Sequence, residues 1–231
     1  MNNNELLTIL YENKDEKYKN FNDKIINTKM PTIGVRTPIL KKIAKNISKG
    51  DYDEFLSNVN SNYYEEVLIE GLVISYIKEP KKLINKLDIF LDKIDNWAIC
   101  DMVCASCKSL IKIKDECFLF IKKNILSNNI WRVRFSFVLL LNYFIQENYL
   151  EEIFKMIDQD KNDEYYVMMA KAWLISECYV KHKTETLKYL KNTKIDNIIY
   201  NKAISKICDS YRVSEIDKIN IKTMKKISKN A

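Results

Sequence analysis

Glycine and proline are nearly missing from this chain: three of each in 231 residues, Gly34, Gly50, Gly71, Pro31, Pro38 and Pro80. Hairpins, open sheets and phosphate-cradling loops need glycine where the backbone turns to positive φ, so their scarcity excludes those architectures and favours helices joined by short polar loops. Histidine is scarcer still, with His182 alone, set among lysines as on a surface. That removes Ser-His-Asp triads and paired-histidine metal sites from consideration. The longest strongly apolar run, FSFVLLLNYFI (135–145), falls short of the roughly 20 residues a bilayer requires. The amino terminus, MNNNELL, lacks a basic segment followed by an apolar one, so no signal peptide is expected. The expectation is an intracellular, cytoplasmic protein whose six cysteines are reduced thiols. The net charge of +7, with lysines scattered through the chain and mildly concentrated in 219–230 (INIKTMKKISKN), suits either polyanion binding or a solvated surface.

What is present is a repeat. Tyr64, Trp97, Trp131, Tyr165 and Tyr200 follow one another at intervals of 33, 34, 34 and 35 residues, each beginning a long and mostly apolar stretch. Between these stretches lie shorter segments, such as PKKLINKLDIFL (80–91) and LEEIFKMI (150–157), apolar on one face only. Such a period marks stacked helical pairs, with the long helices inside and the short ones outside. Tetratricopeptide repeats share the period, but their small-residue pattern and terminal proline are missing. The expected fold is therefore all-α, a HEAT-like solenoid of about six helical pairs, with 1–231 as a single domain. Residues up to about Asn60 read as further helices bent at 28–38, Thr37 serving as N-cap and Pro38 as the first helical residue.

Cys100, Cys104 and Cys107 have the spacing of a cluster-binding motif, C-x3-C-x2-C. Positions i, i+4 and i+7 form one stripe on a helix, however, whereas a cluster needs its thiolates wrapped around iron by an irregular loop. Packing against the next repeat is the better account, and no metal is expected. Asp101 then becomes the odd residue. Four places on from each repeat aromatic stand Leu68, Asp101, Phe135, Met169 and Ile204; three places on stand Val67, Cys100, Arg134, Met168 and Ala203. One carboxylate and one guanidinium break otherwise apolar rows, in adjacent repeats. A charge in such a slot costs several kcal/mol unless it is paired or reaches water. It is either half of a structural ion pair or part of a site. Trp97 lies one turn before Asp101 on the same face, and Trp173 occupies a slot where other repeats have Leu72, Ala105, Leu139 and Cys208. Two tryptophans beside a carboxylate and an arginine suit a planar, cationic or sugar-like ligand. Trp131 reads as core packing, and Glu70, in a very apolar helix, as capping a neighbouring backbone or pairing with a lysine.

The stretches WAICD (97–101), WRVR (131–134), YYVMMAKAWLISE (165–177), GVRTP (34–38) and NKAISKICDSYRV (201–213) resemble the AlkD-like alkylpurine DNA glycosylases, over nearly the whole chain. The resemblance places the family's catalytic aspartate at Asp101 and its lesion-contacting Trp, Arg and Trp at Trp97, Arg134 and Trp173. Arg132 stands beside Arg134, and repeat phase favours Arg134. What the resemblance implies is a monomeric enzyme, without cofactor or metal, that hydrolyses the N-glycosidic bond of N3- or N7-alkylated purines in duplex DNA. Because such a base already carries positive charge, it leaves without a general acid, and one ionised carboxylate suffices to stabilise the oxocarbenium-like sugar. The alternatives from the residues alone are a non-catalytic DNA-binding repeat protein and a protein-binding scaffold.

Overall fold

The computed structural model describes residues 1–226, and among them are fourteen α-helices and no strand. The end of the lysine-rich tail, 227–230, lies outside the described residues. The chain divides into two compact units, Met1–Phe120 and the part from Ile121 onward.

The first unit contains α1 (Asn3–Glu12), α2 (Glu16–Ile26), α3 (Thr37–Ile47), α4 (Tyr52–Asn58), α5 (Tyr64–Ser75), α6 (Pro80–Phe90) and α7 (Trp97–Ser106), with 3₁₀ segments at Leu91–Lys93 and Lys108–Ile113. Helix α5 packs between α3 and α7, with α6 laid against it. Every residue of α5 is buried, whereas α6 buries only Leu83, Leu87 and Phe90, at i, i+4 and i+7. An all-round buried helix and a one-faced helix are the inner and outer partners the repeat predicts.

Helix α8 (Lys114–Ile125) runs across the division, and the second unit continues with α9 (Ile130–Tyr143), α10 (Glu147–Gln159), α11 (Tyr165–Lys181), α12 (Lys183–Asn192), α13 (Asn197–Asp209) and α14 (Glu215–Lys222). Here α11 packs between α9 and α13, while α10 and α12 meet through Phe154 and Tyr189, whose rings stack 4.2 Å apart and 5° from parallel. Length does not separate inner from outer helices, since α9 has 14 residues and α10 has 13. Burial does: Val133–Leu141 of α9 are buried without a break.

Three local readings change. The N-cap of α3 is Arg36, not Thr37, and Pro38 is the second helical residue. The Arg36 carbonyl accepts from the N–H of Ile39 and of Leu40, so the helix begins one residue earlier. The backbone just before it is fixed by a buried carboxylate: Glu65 accepts the N–H groups of Ile33, Gly34 and Val35 at 2.9, 2.7 and 3.3 Å. Gly34 has φ +97°, and a Cβ there would lie 2.5 Å from Lys19 Cβ, so the clamp requires glycine. Second, Cys107 lies just past the end of α7 as its C-cap, so the helical stripe is Cys100 and Cys104, with Cys107 continuing it from the turn. Third, Trp131 is half-buried, not core. Glu70 pairs with Lys93 at 2.8 Å, as its setting suggested.

Candidate functional site

The aromatic residues that open the repeats do not share one environment. Tyr64 and Tyr200 are 2% exposed, whereas Trp97 and Trp131 are half-buried and Tyr165 is 57% exposed. The three middle repeats thus keep open the position that the two outer ones close. The charged slot behaves likewise: Leu68, Phe135 and Ile204 are fully buried, while Asp101, like Met169 of α11, is half-buried and reaches the surface. A carboxylate in that position avoids most of the desolvation cost that burial would impose.

In the first unit, α7 is anchored at its start. Asn96 caps it by accepting from Ile99 N–H at 3.0 Å, and donates to Asp95 at 2.7 Å. Asp95 accepts from the Thr28 hydroxyl and the Lys29 N–H, both at 2.7 Å. The Trp97 indole N–H donates to the Ile25 carbonyl at 3.0 Å. These bonds tie the helix to the segment after α2, where Asn27 takes a left-handed conformation (φ 49°). The Trp97 ring is therefore held in one orientation by a bond at its edge, one turn from Asp101. Gly71 of α5 lets the helices close: a Cβ there would lie 2.5 Å from both Phe90 and Val103, the latter on α7.

In the second unit, Arg134 and Trp173 come from the packed pair α9 and α11. Arg134 is 6% exposed and donates from Nη1 to the Tyr166 carbonyl at 2.6 Å. Arg132 turns the other way, donating to Asn124 at 2.8 Å. Tyr166 also meets Trp131, ring centroids 5.0 Å apart, and Tyr165 edge-on at 5.3 Å. Trp173, half-buried, is two turns along α11 from Tyr166, and Glu177 one turn farther pairs with Arg212. Trp97 and Asp101 are thus brought together on one helix, whereas Arg134 and Trp173 stand on neighbouring helices of the other unit, Arg134 meeting α11 two turns before Trp173. The sequence puts Tyr166, Ala170, Trp173 and Glu177 on one face, but not the contact of Tyr166 with Trp131 or the pairing of Glu177 with Arg212, because those partners come from different helices. The i, i+7 spacing of Tyr166 and Trp173 was the available signal.

The cysteines are packing residues. Cys100, Cys104, Cys107, Cys117 and Cys178 are buried, and burial pushes the thiols of Cys117 and Cys178 up to about 12 and those of Cys104 and Cys107 well above the ordinary range. Among the described residues no group of three His, Cys, Asp or Glu side chains is placed to hold a metal ion, and no helix is long and apolar enough to cross a membrane.

A family model described as DNA alkylation repair enzyme matches residues 6–207. No curated protein matches the chain.

Proposed function

Because the chain belongs to the DNA alkylation repair enzyme family, we propose that its role in DNA repair is that of a glycosylase, hydrolysing the N-glycosidic bond of N3- or N7-alkylated purines in duplex DNA. The observation that carries this reading is Asp101, a half-exposed carboxylate in a repeat slot that is fully buried and apolar in α5, α9 and α13, one turn from a tryptophan locked by its indole N–H. A carboxylate that reaches water among apolar neighbours is placed to face charge that develops on a ligand.

In this reading the C1′–N bond breaks with its electron pair passing to the cationic base, which departs neutral. Positive charge grows on the sugar, and Asp101 is the group that stabilises it. Water adds to C1′ and its proton is released to solvent. Trp97, on the same helix as Asp101, packs against the deoxyribose and offers a π face to the growing cation, and the resemblance gives Trp173 a lesion-contacting role as well. The resemblance gives Arg134 a lesion-contacting role too, and its guanidinium is a positive charge fixed by its bond to the Tyr166 carbonyl.

The test is release of N7- and N3-methylpurine from methylated duplex DNA, followed by chromatography of the free bases. Stoichiometric binding of that duplex with no base released over many hours would leave a DNA-binding repeat protein and refute the enzyme.

A further inference from the structure

Most lysines of the first unit that lie near an acid are paired with it: Lys19 with Asp23, Lys82 with Asp53, Lys93 with Glu70. Among the exposed lysines of the first unit that have no acidic partner among the described residues, six line one surface: Lys41, Lys45 and Lys49 from α3 and just beyond it, Lys78 after α5, and Lys108 and Lys112 in the 3₁₀ segment after α7. They line two grooves, of about 590 and 750 Å³, that share Tyr76, Ile77 and Lys78 and so form one continuous channel. Glu79 is the only acid in its lining. The serine hydroxyls along it are spent on backbone carbonyls: Ser109 donates to Ile77 at 2.6 Å, Ser106 to Met102 at 2.9 Å and Ser48 to Lys45 at 2.9 Å. These bonds fix the walls and leave the ammonium groups as the groups available to a ligand. Lysines at helix C-termini gain a few tenths of a kcal/mol from the helix dipole, and one per helix would serve for that. Six like charges along one channel repel one another in the free protein, and a polyanion relieves that repulsion.

We infer that this channel is a phosphate-binding track that grips the backbone of the same duplex whose lesion faces Asp101. The inference rests on the DNA-repair reading above. Its geometry is that of α7: Ser106, the last residue of that helix and part of the channel lining, is five residues beyond Asp101, roughly 7.5 Å along the helix at 1.5 Å per residue, and Lys108 follows two residues later. That is less than the ~12 Å width of the major groove, so a duplex resting on Asp101 passes within reach of the channel. A channel of this length with spaced charges fits a chain of phosphates and exceeds what a single anion would occupy. Tyr52 and Tyr76, half-buried in its wall, offer apolar surface to the sugars between them.

The experiment compares two triple variants of equal charge loss, Lys78→Gln/Lys108→Gln/Lys112→Gln in the channel and Lys17→Gln/Lys24→Gln/Lys81→Gln outside it, for binding to an undamaged duplex over a range of salt. Each phosphate contact contributes about 0.9 to the slope of log affinity against log salt, so the channel triple should lower the slope by about 2 to 3 and the low-salt affinity by about tenfold or more. The outside triple should change the slope by less than about 1. Thermal midpoints within a few degrees of the unaltered protein show that both are folded. Equal slope changes in the two triples overturn the track while leaving the DNA reading intact. So does binding to anionic phospholipid vesicles that is abolished in the channel triple while its DNA slope stays unchanged. Salt-independent binding by the unaltered protein would overturn both.

Discussion

Replacing Asp101 by Asn keeps the shape of the side chain and removes its charge, and the structure sets separate magnitudes for the two quantities this changes. For stability, Asp101 is half-exposed on α7, and Asp and Asn have similar helix propensities. A partly hydrated carboxylate contributes at most about 1 kcal/mol through its charge interactions, so the thermal midpoint should move by only a few degrees. For catalysis, a carboxylate about 4 Å from a developing unit charge at an effective dielectric near 20 gives about 4 kcal/mol, and partial exposure reduces this. Loss of one preorganised electrostatic group costs ~10²- to 10³-fold in rate by the same reasoning. The assay is single-turnover release of N7-methylguanine, with duplex affinity and thermal midpoint measured on the same preparation. Affinity should be unchanged or slightly higher, since the carboxylate repels phosphate in the ground state. A variant that melts far earlier, by the roughly 3 to 5 kcal/mol expected for breaking a buried ion pair, and excises normally while folded would refute the catalytic role.

Gly71→Ala forces a methyl to within 2.5 Å of Phe90 and Val103, so it should destabilise by about 1 to 3 kcal/mol and displace α7; an unchanged urea midpoint would contradict that packing. Glu65→Gln puts a donating amide against three backbone N–H groups and should cost about 3 kcal/mol, measured by denaturant unfolding, with faster amide exchange at Ile33, Gly34 and Val35. The thiols of Cys117 and Cys178 rise from an ordinary 9.0 to about 12 on folding, so between those values the unfolded chain has lost protons that the folded one retains. Stability should therefore be full below pH 9 and fall above it, by up to ~1.4 kcal/mol per pH unit for each thiol. A thermal midpoint constant from pH 9 to pH 11 would refute this burial effect.

The aromatic period of 33 to 35 residues and the scarcity of glycine and proline were enough to locate the inner helices: α5, α7 and α11 begin at Tyr64, Trp97 and Tyr165, α9 one residue before Trp131, and α13 three residues before Tyr200. This works because a stacked repeat imposes the same burial demand at the same phase in every copy, so the pattern is written locally and several times over. For the same reason, residues that break the pattern, Asp101 and Arg134, were visible without any structure. How each break is accommodated was not visible. Both are charges in apolar rows, yet Asp101 stays wet and Arg134 is buried with a backbone carbonyl 32 residues away as acceptor. The clamp of Glu65 on Ile33, Gly34 and Val35 and the division of lysines into paired and unpaired are of the same kind. Each depends on which side chains from distant segments arrive at one place. A desolvated charge can be satisfied by any of several groups, so its partner is decided by the packing of helices and not by the residues on either side of it.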